Sequence, residues 1–202
     1  MAVFREYPYL YEGTLDYERD YLETYWRSPG SRVVLLRDAG RAVGASTCLP
    51  LAHEGPEFQA PFVRPEDYFY LGESVLLPEY RGQRWGHLFF DLREARAREL
   101  GGFRFTCFCA VEREPRAGHR SLEPFWTGRG YQHHPELRCT FRWRDVGEES
   151  RRRRICRSGC VRVRDLVELL SEFGAGLPRQ SCTGNGLRHK RLSHPTGTSR
   201  SR

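Results

Sequence analysis

No stretch of the 202 residues is apolar for the length of a membrane-spanning helix, and Met1 to Tyr11 carries charges and tyrosines where a secretory leader would have an apolar run. The chain is therefore expected to stay in the cytoplasm. The seven cysteines are odd in number and irregularly spaced, which argues against the disulfide framework of a small secreted domain and for reduced thiols. Lysine is nearly missing: Lys190 is the only one, so arginine supplies the positive charge. No internal repeat is found, which sets aside a repeat architecture. What remains is a chain long enough for one ordinary domain with its own core.

The net charge of +7 is unevenly placed. Residues 151–202 hold 13 basic and 3 acidic side chains, whereas residues 1–150 hold 20 and 23. A nucleic-acid-binding domain would carry its basic excess on the folded part, and here that part is mildly acidic. The sequence divides into a globular domain over 1–147 and a basic, largely disordered tail over 148–202, opened by the Arg151–Arg154 run. Within the tail only Val161 to Phe173 has helical character.

Thr14 to Arg27 predicts a helix with an aromatic side, ended by Ser28-Pro29-Gly30. Arg32 to Arg37 and Arg41 to Leu51, separated by Asp38-Ala39-Gly40, predict a hairpin. His53 to Asp67 reads as a loop by its prolines. Tyr68 to Leu77 is strand-like and stopped by Pro78. Gly86 to Leu100 predicts a helix with Leu88, Phe89, Leu92 and Ala95 inward and Arg93, Glu94, Arg96 and Arg98 mainly outward. Phe103 to Val111 alternates as a strand, so strand, helix and strand form a parallel unit with a right-handed crossover. Ser121 to Arg129 predicts a short helix, and Leu137 to Asp145 a last strand.

The chemistry is expected between the Tyr68 strand and its helix, at Pro78-Glu79-Tyr80-Arg81-Gly82-Gln83-Arg84-Trp85-Gly86-His87. A small-residue loop opening a helix aims several backbone N–H groups at one point, where the helix dipole also favours negative charge. Gly82 and Gly86 let a phosphate approach the backbone. A bare helix cap would use the same residues, so the loop alone is a weak signal.

The passage from Tyr68 to Phe90 resembles the acyl-CoA-binding motif of the GNAT superfamily of N-acetyltransferases, whose loop reads Arg/Gln-x-x-Gly-x-Gly/Ala. Arg81 matches its first position and Gly86 its last; Pro124 to Tyr131 is similar to the family's short helix and following strand. The resemblance covers roughly residues 2–147. It implies an α/β fold, a mixed sheet flanked by helices. It also implies acetyl-CoA as co-substrate: the pantetheine arm would run along backbone groups of Val75, Leu76 and Leu77, and the amides of Gly82, Gln83, Arg84, Trp85, Gly86 and His87 would hold the pyrophosphate, with Arg81 beside it. The acceptor would be a primary amine of a small molecule or peptide, and an alkyl ammonium needs a base to become a nucleophile. Glu73 lies near where relatives carry a carboxylate base; a half-buried carboxylate tied to a neighbour is the other reading.

Three departures from the family pattern stand out. Arg84 replaces a usual glycine and either adds a guanidinium to the phosphates or costs about 1 kcal/mol at a positive φ. Trp126 replaces a tyrosine general acid, leaving Tyr131 or a water for that role. The family's first and last strands have no visible counterpart, and the break at 147–151 suggests a slipped reading frame and an unpaired sheet edge that favours a second copy of the chain. No metal is expected: His133 and His134 diverge along a strand, and Cys156, Cys160, Cys182, His189 and His194 match no zinc spacing. Glu54, Glu57, Glu66 and Asp67 suggest a cationic acceptor. Two further readings are an acyl-CoA-binding protein without turnover and nucleic-acid association through the arginine-rich tail.

Overall fold

The Thr14 hydroxyl accepts from the N–H of Tyr17, and this cap starts helix α1 (Leu15–Arg27). The computed structural model describes residues 2–143, 145–147 and 155–166. After α1 comes the expected hairpin of β1 (Arg32–Asp38) and β2 (Arg41–Pro50), turned at Ala39 and Gly40 with both at positive φ. The proline-rich stretch, expected as a loop, folds into short helical turns that include α2 (Pro56–Gln59). The chain continues as β3 (Tyr68–Leu76), α3 (Trp85–Leu100), β4 (Phe105–Val111), α4 (Glu123–Thr127), β5 (Gln132–Trp143) and β6 (Ile155–Asp165).

The strands form one mixed sheet in the order β1-β2-β3-β4-β6-β5. β3 and β4, joined through α3, are its parallel pair; the other neighbours are antiparallel. On one face Tyr25 of α1, Leu51 and Phe58 of α2 pack on Tyr70, Cys107, Cys139 and Val161. On the other, Phe90 and Ala97 of α3 and Phe125 and Trp126 of α4 pack on Phe69, Leu71 and Phe108.

Three expectations need correction. The sheet does not end near Gly147: β6 enters it between β4 and β5, so the strand sought in vain lies within the supposed tail, and the sheet edges are β1 and β5. Residues 155–165 are accordingly strand, and the helix expected from Val161 does not form there. Val161 and Val163 are buried on the α1 face, while Arg162 and Arg164 turn to the other face and bind Glu123 and Glu94. The remainder of the supposed tail, 148–154 and 167–202, lies outside the described residues. The segment before α1 holds a short 3-10 turn (Ala2–Arg5) and a single bridge from Tyr11 to Asp145, and no strand precedes α1 among the described residues.

The third correction concerns the phase of α3. Its buried residues are Phe89, Phe90, Arg93, Glu94 and Ala97, and Leu88 is 41% exposed. Arg93 and Glu94 turn inward because partners wait there. Glu94 accepts from Arg129, Tyr131 and Arg164, and Arg93 is held by backbone carbonyls.

Two irregularities shape the middle of the sheet. β3 and β4 are paired only through Tyr68↔Phe105, Phe69↔Thr106 and Tyr70↔Cys107, then separate, although β3 continues to Leu76 and β4 to Val111. Between β2 and β3 the register slips from Ser46↔Ser74 to Cys48↔Leu71, so Gly72 and Glu73 together oppose Thr47, as in a β-bulge. Leu71 packs on the α3 face and Ser74 accepts from Arg93 of α3. Three positions apart yet on one face, they leave both intervening residues turned to the α1 face. At position 72 a Cβ would overlap the Tyr25 hydroxyl and Thr47 Oγ1. Gly72→Ala is therefore expected to lower stability by about 1–3 kcal/mol, read as a fall in the urea midpoint; an unchanged midpoint would show that the bulge has room.

Candidate active site

Beyond Leu76 the chain makes a 3-10 turn at Pro78–Tyr80 and passes through Gly82 at φ 75° and Arg84 at φ 67° before α3 begins at Trp85. Positive φ at two nearby positions lets successive amides point the same way. Among the described residues, nothing accepts from the backbone N–H groups of residues 82–86. Gln83, Arg84, Trp85, His87, Leu88 and Asp91 line a shallow hollow of about 280 Å³ beside them. The Trp85 indole N–H is buried with no partner among the described residues. A Cβ on Gly86 would meet only the Phe125 ring, at 3.7 Å. These bare donors at a helix start fit a diphosphate.

The side chains of the loop are engaged differently from the sequence expectation. Arg81 donates to the carbonyl of Leu76 (3.1 Å) and to Glu6 (2.9 Å), so its guanidinium ties the loop to β3 and to the N-terminal segment. Gln83 donates to the Glu79 carbonyl, and His87 packs edge-on against Phe125 with Nδ1 3.4 Å from Arg129. Val75, Leu76 and Leu77 border β2 on one side, with Leu77 N–H donating to Val43, and face the separation from β4 on the other. An extended chain could add there as a strand, although the Leu76 carbonyl already receives Arg81.

Glu73 sits on the part of β3 that has left β4. Its N–H donates to Thr47 Oγ1 (2.9 Å) and its carbonyl receives Arg93 (3.5 Å), while the side chain is half-buried on the α1 face. Desolvation, reinforced by Glu18 and Glu54 and opposed by Arg93, pushes its carboxyl up to about 7. Glu54 is 5% exposed and accepts from Tyr25 and Tyr21. Its own pKa is raised by burial. Glu57 is exposed, Glu66 pairs with Arg64, and Asp67 is held between Arg64 and Arg104, so of the four acids expected at the acceptor side only Glu54 is brought near Glu73 with its charge uncompensated. Tyr9 was not legible in the sequence as a site residue. The Arg113 guanidinium binds its carbonyl at 2.6 Å, and its phenol lies in electrostatic reach of Glu73 and Cys109, its pKa raised first by burial.

Tyr131 does not join this group. It is 1% exposed on the α3 face, with its hydroxyl 3.0 Å from Thr106 and donating to Glu94 at 3.0 Å, and burial and Glu94 hold its pKa well up. Trp126 lies against Phe108 and under the Arg162 guanidinium, part of the core. His133 pairs with Glu112 and His134 with Glu136; among the described residues no three His, Cys, Asp or Glu side chains gather as metal ligands, and of the other set Cys156 and Cys160 fall on β6 while Cys182, His189 and His194 lie outside the described residues. No helix among the described residues is long and apolar enough to cross a membrane. The Arg84 backbone is left-handed, a conformation that costs a non-glycine residue about 1–2 kcal/mol. After the added freedom of the unfolded chain is subtracted, Arg84→Gly is expected to raise stability by up to about 1 kcal/mol, seen as a higher melting midpoint; a lower one would show that the arginine side chain contributes more than its backbone costs.

Comparison with known proteins agrees with this geometry. The model of the acetyltransferase (GNAT) family matches residues 2–133. No curated protein sequence matches the chain. Among solved structures, an N-acetyltransferase from Staphylococcus aureus Mu50 superposes with TM-score 0.52 at 13% identity, over 80% of this chain and 82% of that one. An aminoglycoside 6'-N-acetyltransferase complexed with coenzyme A does so with TM-score 0.52 at 11% identity, over 89% and 90%. Such identities speak to the fold alone, whereas the family match spans most of the chain. With a strand pair that opens beside a bare amide loop at the start of α3, the chain belongs to the GNAT acetyltransferase family.

Proposed function

We propose that this acetyltransferase moves an acetyl group from acetyl-CoA to a primary amine of a small molecule or peptide, with Glu73 as general base. The observation that carries the reading is the half-buried carboxyl at the opening of β3 from β4, pushed up to about 7 and unpaired with any cation among the described residues. A base poised near neutral pH can take a proton from an ammonium and still be substantially ionised. Acetyl-CoA supplies the activated thioester. The amides of residues 82–87 hold its diphosphate, and the edge at Val75, Leu76 and Leu77 lines up its extended arm. Arg84 sits at the amide loop with an exposed guanidinium that adds charge for phosphate. The acceptor ammonium enters on the α1 face, drawn by Glu18, Glu54 and Glu73, and Glu73 receives its proton so that the free amine attacks. Tyr9, a phenol that keeps its proton beside Cys109, gives that proton to the departing thiolate and is restored by the second proton that the nitrogen loses as the amide forms, so the one net proton leaves on Glu73.

A second reading is an acyl-CoA-binding protein without turnover. It is favoured by the burial of the Tyr131 hydroxyl against Glu94 and by the indole at Trp126, which leave no accessible phenol at either position expected for the acid. Thioester consumption with a panel of amines separates the two.

Calorimetric titration of acetyl-CoA should show saturable binding by the wild type and none by Gly86→Glu, whose carboxylate would oppose a phosphate at the amides; equal binding by both would remove the diphosphate from this loop. Glu73→Gln should lower kcat about 100-fold or more and abolish the rise of kcat/KM through pH 7 expected of the wild type; an unaltered profile would dismiss Glu73 as the base. The same carboxyl costs stability. Its folded pKa lies above its ordinary 4.5, so its stabilising protonated form is complete below about 4.5 and lost as pH rises through about 7. Glu73→Gln should consequently melt higher than the wild type at pH 8, and the gain should vanish towards pH 4.

A further inference from the structure

Arg93 is an unusual occupant for the middle of a core. It is 1% exposed, and among the described residues it pairs with no carboxylate. The adjacent Glu94 is already taken by Arg129 and Arg164. An apolar residue of similar length would avoid the cost of desolvating a charge there, so the guanidinium needs another account.

Its donors supply one. Nε binds the carbonyl of Phe89 one turn back at 3.1 Å, which fixes the side chain against α3. Nη1 reaches the carbonyls of Thr47 at 3.4 Å and Glu73 at 3.5 Å, and Nη2 reaches Ser74 Oγ at 3.3 Å. Thr47 and Glu73 are the residues that face each other at the bulge, where regular ladder bonds are lost. The lost partners are replaced from both sides: Thr47 Oγ1 accepts from the Glu73 N–H, and Arg93 donates to the two carbonyls. Without the bulge, strand alternation would send Glu73 to the α3 face, away from the α1 face.

We propose that Arg93 is a positioning residue for Glu73: from α3 it holds the bulge that turns the Glu73 carboxyl to the acceptor face, and it brings a positive charge to bear on that carboxyl. This rests on the reading of Glu73 as the base. The groups that face Glu73 from the surrounding elements are mostly acids or neutral phenols. α1 contributes Glu18 with Tyr17, Tyr21 and Tyr25; the turn after β2 contributes Glu54; the N-terminal segment contributes Tyr9 and Tyr11; β3 itself contributes Tyr70. Arg93 alone among the groups acting on Glu73 favours its ionised form.

Two variants separate charge from hydrogen bonding. Arg93→Gln keeps a donor and removes the charge; Arg93→Lys keeps the charge and cannot bridge two carbonyls and a hydroxyl. The readout is the titration of the Glu73 carboxyl carbon by NMR in glutamate-labelled protein, with the line assigned by Glu73→Gln. Arg93→Gln should raise the midpoint by about one unit, and kcat should fall about fivefold at pH 7 and recover by pH 9, since one unit changes the ionised fraction by that factor. Arg93→Lys should leave the midpoint near 7 and lower kcat at every pH. An unmoved midpoint in Arg93→Gln overturns the proposal, as does a loss of folding in both variants, which would assign Arg93 to the core alone. Because the titration needs no turnover, an inactive wild type would sink the acyl-transfer reading while leaving this measurement decisive.

Discussion

Where β2 and β3 fall out of register, their backbone cannot satisfy itself, and the Thr47 hydroxyl and the Arg93 guanidinium take over the missing partners. The geometry of the site follows from that repair. The bulge bends β3 and adds twist, which is the ordinary consequence of an extra residue in one strand. Downstream of it, β3 no longer pairs with β4, so an edge of unpaired backbone lies open inside the sheet instead of at its rim. An interior edge is protected from adventitious pairing yet free to receive one extended chain, and the amides at the start of α3 stand at its far end.

Two buried glutamates show how surroundings divide labour. Glu94 is met by Arg129, Arg164 and the Tyr131 hydroxyl, and through them it ties α3 to the β5 turn and to β6. A carboxylate satisfied on this scale is an anchor, and breaking one partner would strand the rest. Glu73 has no such company. Glu18 and Glu54 act against its charge, and Arg93, which favours it, is held through backbone carbonyls. The first glutamate stabilises the fold; the second is held at the cost of stability, and a proton moves on and off it near neutral pH.

The N-terminal segment completes the enclosure on the α1 side. Glu6 meets Arg81 of the loop, the Tyr9 carbonyl meets Arg113, Leu10 accepts from Val146, and Arg113 in turn forms a two-pronged pair with Asp145. Residues 6–10 thus reach from the amide loop to the far end of β4, bringing the Tyr9 phenol within electrostatic reach of Glu73 on β3 and Cys109 on β4. Nothing in the local pattern of Glu6 to Leu10 announces this, because the bonds to Arg81, Arg113 and Val146 each reach a residue more than seventy positions away.

Local chemistry alone determined the hairpin at Asp38 to Gly40, the strand ended by Pro78, the amide loop at Gly82 to Gly86 and the α3 helix, since turns, caps and helix starts depend on neighbours in the chain. Tertiary structure decided the rest. The α3 face was misjudged because periodicity assigns charge to solvent, and only Arg129 of the turn before β5, Arg164 of β6 and the carbonyls of the bulge make room for Glu94 and Arg93 inside. β6 escaped notice for the same reason. Its alternation of Val161 and Val163 with Arg162 and Arg164 is a strand pattern, but two arginines facing a helix layer are credible only once Glu123 and Glu94 are seen there. The position of Glu73 could be read from the sequence, whereas its direction could not. A bulge reverses the face of a strand through one extra residue, and that slip is recorded in the pairing with β2 and in no property of residues 71–74 themselves.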